Sequence, residues 1–367
     1  MSSDIILVIV VATALAFDFT NGFHDTANVV ATAISTHAIG PRRAVALASL
    51  LNFVGAFISL KVATTIAKGF VTTSSVTTTV VFAGLVGAIA WNLITWYYGL
   101  PSSSSHALIG GLVGSVIAAT GTHAVNSGGL LSKLIVPAIV APLIAAASAG
   151  IAILIVYRIV GRLRPGPVGR GFRLGQVASS SLLALSHGTN DAQKTMGVIT
   201  LALVASHDLP QKGFNVPIWV VIVAASAISL GTFTGGWRII KTMGTRIISM
   251  DPAQGFIAQS AGAAVILAAS SVGYPLSTTH VISGGITGAG AAKRLSAVRW
   301  GVAGDIVRAW VLTLPAAGAI AALVYTVTRL FGTGAVGPIV VSALMLVALA
   351  MVFARRLQQA APAASAR

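Results

Sequence analysis

Pro101-Ser-Ser-Ser-Ser-His106, running into ALIGGLVGS, and Pro275-Leu-Ser-Thr-Thr-His280, running into VISGGITGA, are two versions of one stretch set 174 residues apart. Upstream of each lies a second matched pair, NGFHDTAN (Asn21 to Asn28) and HGTNDAQK (His187 to Lys194), which places Asp25 and Asp191 at the same position 166 residues apart. The order of the two motifs is kept in both halves, so the chain is internally duplicated.

Composition says where such a duplicated chain resides. Hydrophobic residues make up 56% of the 367 and charged residues only 8%, against roughly 25% charged in soluble domains. The chain reads as a polytopic membrane protein. All seven acidic residues are aspartate, and four lie in or beside long apolar segments, where a carboxylate needs a partner. The net charge of +16 comes from basic residues scattered singly between apolar stretches, which is a topology signal and not a nucleic-acid surface. Without cysteine the chain has no disulfides and no thiolate metal site. The opening MSSDIILVIVVATALAFDF lacks a basic leader and a small-residue cleavage site, so an uncleaved first helix is expected.

A crossing needs about 20 mostly apolar residues. Candidates lie near 4–36, 44–67, 76–99, 101–122, 134–160, 175–206, 216–241, 252–272, 275–292, 300–329 and 336–354. The expected fold is all-α, with about 10–12 transmembrane helices. The first and sixth segments are too long for one plain crossing, and Gly22 and Gly188 beside their aspartates are the expected points of unwinding. Segments 101–122 and 275–292 read either as crossings or as re-entrant hairpins. Each copy contributes five segments before the next begins, an odd number, which implies two repeats of inverted topology. The expected division is a first repeat over 1–160, a basic linker over 161–174, a second repeat over 175–330, and a last helix and tail over 331–367.

Alternate loops hold sixteen basic residues on one side, from Arg42 and Arg43 to Arg355, Arg356 and Arg367, against five on the other: Lys61, Lys68, Lys133, Lys212 and Arg329. The basic side is expected to be cytoplasmic, with the N-terminus outside and the C-terminus inside.

Interrupted segments at matching places in two inverted halves point to a transporter's substrate site near the bilayer midplane. Pro101 and Pro275 suit a first helical turn. Ser102, Ser103, Ser104 and Ser105 in one copy, and Ser277, Thr278 and Thr279 in the other, then join free backbone N–H groups at a helix N-terminus, an anion site. Gly110, Gly111, Gly114 and Gly284, Gly285, Gly288 leave faces without side chains where a second helix fits closely. Asp25 and Asp191, with Asn28 and Asn190 beside them, offer hard oxygen donors for Na⁺ or a divalent cation such as Mg²⁺. His24, His106, His187 and His280 serve either as proton relays or as ordinary hydrogen-bonded interface residues, and Lys194 either balances charge at the site or forms a structural ion pair. Asp18 is a weaker site candidate, and Asp305 with Arg308 reads as a local ion pair. A doubly charged oxyanion entering beside two ionised aspartates cannot be stable in low dielectric, even with Lys194 counted, so cations must enter with it.

At these residues the chain resembles the PiT family of inorganic phosphate transporters, whose duplicated signature reads approximately GANDVAN and stands here as GFHDTAN (Gly22 to Asn28) and GTNDAQK (Gly188 to Lys194). The resemblance covers nearly the whole chain. It implies an inverted-repeat carrier, homodimeric in the bacterial inner membrane among its lipids. It further implies uptake of phosphate with H⁺ or Na⁺, in bacterial members often as a metal–phosphate complex, and no resident cofactor. It assigns Asp25, Asn28, Asn190 and Asp191 to the coupling cation and the Ser/Thr runs to phosphate. His24 stands where the signature has asparagine, so the two cation positions need not be equivalent. A sulfate carrier and a passive anion channel are the rival transport readings. An intramembrane serine hydrolase is disfavoured, because no Gly-x-Ser-x-Gly surrounds either serine run.

Overall fold

A computed structural model describes residues 2–210, 215–348 and 351. Lys212, Arg355, Arg356, Arg367 and the end of the expected 336–354 segment lie outside the described residues. Among the described residues the chain is helical apart from one isolated bridge between Val71 and Val125.

One order of elements runs twice. A long helix, α1 (Ser2–Ser35), is followed by a broken pair, α2 (Pro41–Gly55) and α3 (Lys61–Gly69), and then a plain span, α4 (Thr78–Tyr98). A short helix, α5 (Ser104–Thr120), comes next, and then α6 (Ser127–Leu130), which continues through one wide turn into α7 (Val136–Val160). The second round is α8 (Pro165–Ala205), α9 (Ile218–Thr234) with α10 (Trp237–Lys241), α11 (Pro252–Ser271), α12 (Thr278–Lys293) and α13 (Trp300–Arg329). A last helix, α14, spans Val336–Ala348.

Five described helices are long and apolar enough to cross a bilayer, and six if the bent pair α9–α10 is one span. The remaining sequence segments appear as broken, short or polar-lined helices. α9 and its continuation meet at 61°, where Gly235 takes φ +72°, a conformation that costs glycine little. The break at the matching place of the first round falls between α2 and α3. There Gln193 of α8 caps α3, its Oε1 accepting from Val62 N at 2.8 Å and Ala63 N at 3.1 Å.

The expected unwinding at Gly22 and Gly188 is corrected, because α1 and α8 run unbroken through both. These glycines are crossing points. A Cβ at Gly188 would overlap the carbonyl oxygen of Asn52 in α2, and one at Gly22 would overlap that of Ile228 in α9. The crossing is reciprocal, since Gly55 of α2 meets Leu185 of α8 and Gly231 of α9 meets Phe19 of α1. Each aspartate-bearing helix thus packs on the broken helix of the other round. The same exchange recurs at the short helices. Gly110 and Gly114 of α5 meet Leu314 and Gly318 of α13, while Gly284 and Gly288 of α12 meet Pro142 and Ala146 of α7. In lipid there is little hydrophobic drive between helices, so close backbone packing at small residues holds such a bundle together.

Contacts sort the loops into two groups. Tyr157 bonds Asp251 at 2.5 Å, Lys293 reaches Asp251 at 3.4 Å and Arg299 bonds Thr245 O at 2.9 Å. Lys61 bonds Ser271 O at 2.7 Å, and Thr72 N bonds Ala124 O at 2.9 Å. The first group joins loops of the set rich in basic residues, and the second joins loops of the set with few. Asp305 and Arg308 form the expected pair, at 3.0 Å on an exposed face.

Candidate functional site

The Ser/Thr runs begin helices inside the protein, with every residue from Pro101 to Val113 and from Pro275 to Ser283 buried. Pro101 and Pro275 are not in the first turn, as their residue type suggested. They stand two residues before the capping residues, and the hydroxyl-rich turns follow. Ser103 caps α5, its Oγ accepting from His106 N at 3.2 Å, and Ser277 caps α12, its Oγ accepting from His280 N at 3.3 Å. Serine at this position satisfies one of the free N–H groups and leaves the others of the first turn facing the site. The two helix starts touch: Ser105 Oγ donates to Leu276 O at 3.1 Å.

The middles of α1 and α8 bring both carboxylates to this junction. Thr278 Oγ1 lies 3.4 Å from Asp25 Oδ2 and 3.3 Å from Asp191 Oδ2, so one hydroxyl links the two halves of the duplicated motif. Asn28 Nδ2 donates to Thr279 Oγ1 at 2.9 Å and to Thr278 Oγ1 at 3.2 Å. Lys194 Nζ donates to Asp191 Oδ1, to Ser105 Oγ and, at 2.8 Å, to Leu276 O. His24 Nδ1 donates to Asp25 Oδ1 at 2.7 Å, and its Nε2 lies 3.2 Å from Thr95 Oγ1 and 3.4 Å from Ser102 Oγ. His187 Nε2 sits 3.1 Å from Asp191 Oδ2, at an angle too oblique for a good hydrogen bond, while Nδ1 meets Asn52 Oδ1 at 3.2 Å. All of these side chains are buried.

Ligand atoms of Asp25, His187 and Asp191 lie within 4.8 Å of one another. Two carboxylates, an imidazole and a threonine hydroxyl form a predominantly oxygen donor set, which suits a hard cation in preference to a soft one. Several buried polar atoms here have no hydrogen-bond partner, namely Ser104 Oγ and both amide atoms of Asn190, while the buried Asp18 carboxylate stands beside Asn21 and Thr195. Unmatched buried polar groups are costly, and a site that receives a polar ligand is where they are found.

The sequence candidates divide. Ser102, Ser105, Thr278, Thr279, Asp25, Asn28, Asp191, His24, His187 and Lys194 form one network, while Ser103 and Ser277 only cap their own helices and Ser104 and Asn190 make no side-chain hydrogen bond. His106 and His280 stand apart from the carboxylates, ring against ring at 4.7 Å, with His280 stacked on Trp310 at 3.9 Å. They line an apolar cavity of about 920 Å³ with Pro142, Val307 and Val311. Three residues that the motifs did not single out support the site. Thr95 joins His24 to Ser102, whose Oγ donates to it at 2.8 Å, and Asn52 holds His187 while donating to Thr232 Oγ1 at 2.8 Å. An isolated asparagine or threonine within an apolar span was the available signal.

Residues 21–321 match the model of the phosphate transporter family. A protein of Mycobacterium tuberculosis (strain ATCC 25618 / H37Rv), described as a probable low-affinity inorganic phosphate transporter, is 52% identical over 327 residues, covering 89% of this chain and 78% of that one. A Rhizobium meliloti (strain 1021) protein of the same description is 50% identical over 87% of this chain and 96% of its own length. Among solved structures, one described as the sodium-dependent phosphate transporter superposes with a TM-score of 0.81 at 26% identity, over 89% of this chain and 99% of that one.

Proposed function

Since the chain belongs to the phosphate transporter family, we propose that it imports inorganic phosphate by cation-coupled symport, with anion and cation meeting where α5 and α12 begin. The observation that carries this reading is Thr278, whose hydroxyl reaches both aspartates from the first turn of an anion-binding helix start. A phosphate at that junction accepts from first-turn N–H groups and from hydroxyls of the Ser102–Ser105 and Ser277–Thr279 runs. A protonated phosphate oxygen donates to Asp25 or Asp191, which a sulfate ion has no proton to do. Two carboxylates and a doubly charged anion beside the single ammonium of Lys194 leave a net negative cluster, and H⁺, Na⁺ or a divalent metal entering with the phosphate neutralises it.

Cations are assigned to Asp25, Asn28, Asn190 and Asp191, with His24 and His187 as the adjacent proton-accepting groups. His106 and His280 have no part in this assignment, because they lie away from the carboxylates. The exchange packing across Gly22, Gly188, Gly110 and Gly288 favours alternating access by rigid-body movement of α5 and α12 with their partner helices against the remainder. We assign the protein to the bacterial inner membrane, as a homodimer among lipids, and the loop charges support an N-terminus outside and a C-terminus in the cytoplasm.

Uptake of radiolabelled phosphate into proteoliposomes tests this, with an imposed Na⁺ gradient, an imposed pH gradient or neither, each with and without Mg²⁺. Concentrative uptake under one ion gradient supports symport and identifies the driver, and dependence on Mg²⁺ supports a metal–phosphate cargo. Equilibration alone under every condition makes the protein a channel, and sulfate flux without phosphate flux makes it a carrier for another oxyanion.

A further inference from the structure

Among the positions at which the two signature copies differ is the one three residues after the aspartate, where the first has Asn28 and the second Lys194. Their surroundings correspond. Asn28 reaches across to Thr279 in the first turn of α12, and Lys194 reaches across to Ser105, the equivalent residue in the first turn of α5. The same place relative to carboxylate and helix start thus holds a neutral amide in one half and an ammonium in the other.

The Lys194 ammonium has three hydrogens and three oxygen partners of three kinds: a carboxylate, Asp191 Oδ1; a hydroxyl, Ser105 Oγ; and a backbone carbonyl, Leu276 O. Carboxylate, hydroxyl and carbonyl oxygens are also what a hard cation collects. Lysine is seldom buried unless fully paired, and here it is 1% exposed with all three donors used. Its charge arrives on a side chain tethered to α8 and cannot leave with the substrate.

We propose that the Lys194 ammonium is a resident cation filling the cation position of the second signature copy, so that coupling ions enter only on the Asp25 side. This inference rests on the symport reading above. It makes the number of ions carried per phosphate one fewer than the same scaffold carries with asparagine at residue 194. A structural ion pair alone would make the substitution destabilising and leave that number unchanged.

Lys194→Asn, which installs in the second copy the residue found in the first, tests it. Wild-type and variant proteoliposomes are given the same tenfold inward gradient of the driving cation at zero membrane potential, and the phosphate ratio at which net flux vanishes is read. One additional coupled ion multiplies that ratio by about tenfold, the gradient itself. An unchanged ratio in a variant that still concentrates phosphate overturns the inference. Where the variant does not turn over, binding of the driving cation to the purified proteins at saturating phosphate decides the matter, read as bound ²²Na⁺ for a Na⁺ driver or as proton uptake for an H⁺ driver: one more ion bound per protomer than in wild type is expected, and equal binding overturns it. Wild-type protein that shows no cation-driven uptake refutes the symport reading instead, a failure seen without the variant.

Discussion

Replacing Thr278 with valine keeps the shape of the side chain and removes the hydroxyl that stands between the two carboxylates. That hydroxyl accepts from Asn28 at 3.2 Å and lies 3.4 Å from Asp25 and 3.3 Å from Asp191. It has one proton, so it serves one carboxylate at a time, and the loss is one hydrogen bond to a charged group instead of two. Such bonds contribute about 1.5–3 kcal/mol, and lengths above 3.2 Å place this one at the lower end. If bound phosphate takes over that hydroxyl's proton, as proposed, the variant loses a bond to the anion, and at about 1.4 kcal/mol per factor of ten its apparent phosphate affinity should fall by roughly tenfold. Initial rates of phosphate uptake at matched expression measure this, with serine at 278 as the rescue that restores the hydroxyl without the methyl group. Thr278→Val with a KM within about twofold of wild type, alongside Thr278→Ser of equal affinity, would show that the hydroxyl does not join the two halves of the site, since the loss expected for such a bond is at least about tenfold.

Asp25→Asn and Asp191→Asn should each reduce cation-driven phosphate uptake more severely than Ser104→Ala or Thr278→Ala, because they remove the charge proposed to hold the coupling cation; uptake assays at matched expression rank them. Gly22→Ala and Gly188→Ala each drive a Cβ into the backbone of a crossing helix, an overpacking that costs roughly 1–3 kcal/mol. Gly304, with nothing close to its missing Cβ, should accept alanine without loss of thermal stability. Asp18→Asn should leave the melting temperature equal or higher, because the carboxylate is wholly buried and a neutral amide is cheaper to bury. A marked fall in that temperature would mean that the carboxylate is held in place, by a bound cation or by Asn21 and Thr195 beside it.

The duplicated motifs made the heart of the site legible because each residue type has a single chemical use there: serines and threonines at helix starts, aspartates in the membrane, small residues along one face. Gly110, Gly114, Gly284 and Gly288 met the helices their pattern required. Along the chain Gly22 and Gly188 suggest unwinding points, because a glycine beside a buried polar motif signals either a freed backbone or a close crossing. Only the carbonyl oxygens of Ile228 and Asn52, more than a hundred residues away in sequence, decide for the crossing. The four histidines looked equivalent along the chain. His24 and His187 lie on the aspartate helices and face the carboxylates, whereas His106 and His280 lie in the first turn of α5 and α12 and point to each other. Thr95 and Asn52 were visible as isolated polar residues in apolar spans, but a lone polar residue announces that it has a partner without naming it.

Phosphate and its coupling cation are claimed to share one buried site, and linkage then requires each to raise the affinity of the other. Equilibrium binding of radiolabelled phosphate to the purified protein, across concentrations of Na⁺ and across pH, compares wild type with the Asp25→Asn/Asp191→Asn double variant most directly. Wild type should bind phosphate more tightly as the coupling cation rises, and the double variant should lose that dependence. Phosphate binding that responds equally to the cation in both proteins would contradict the shared site.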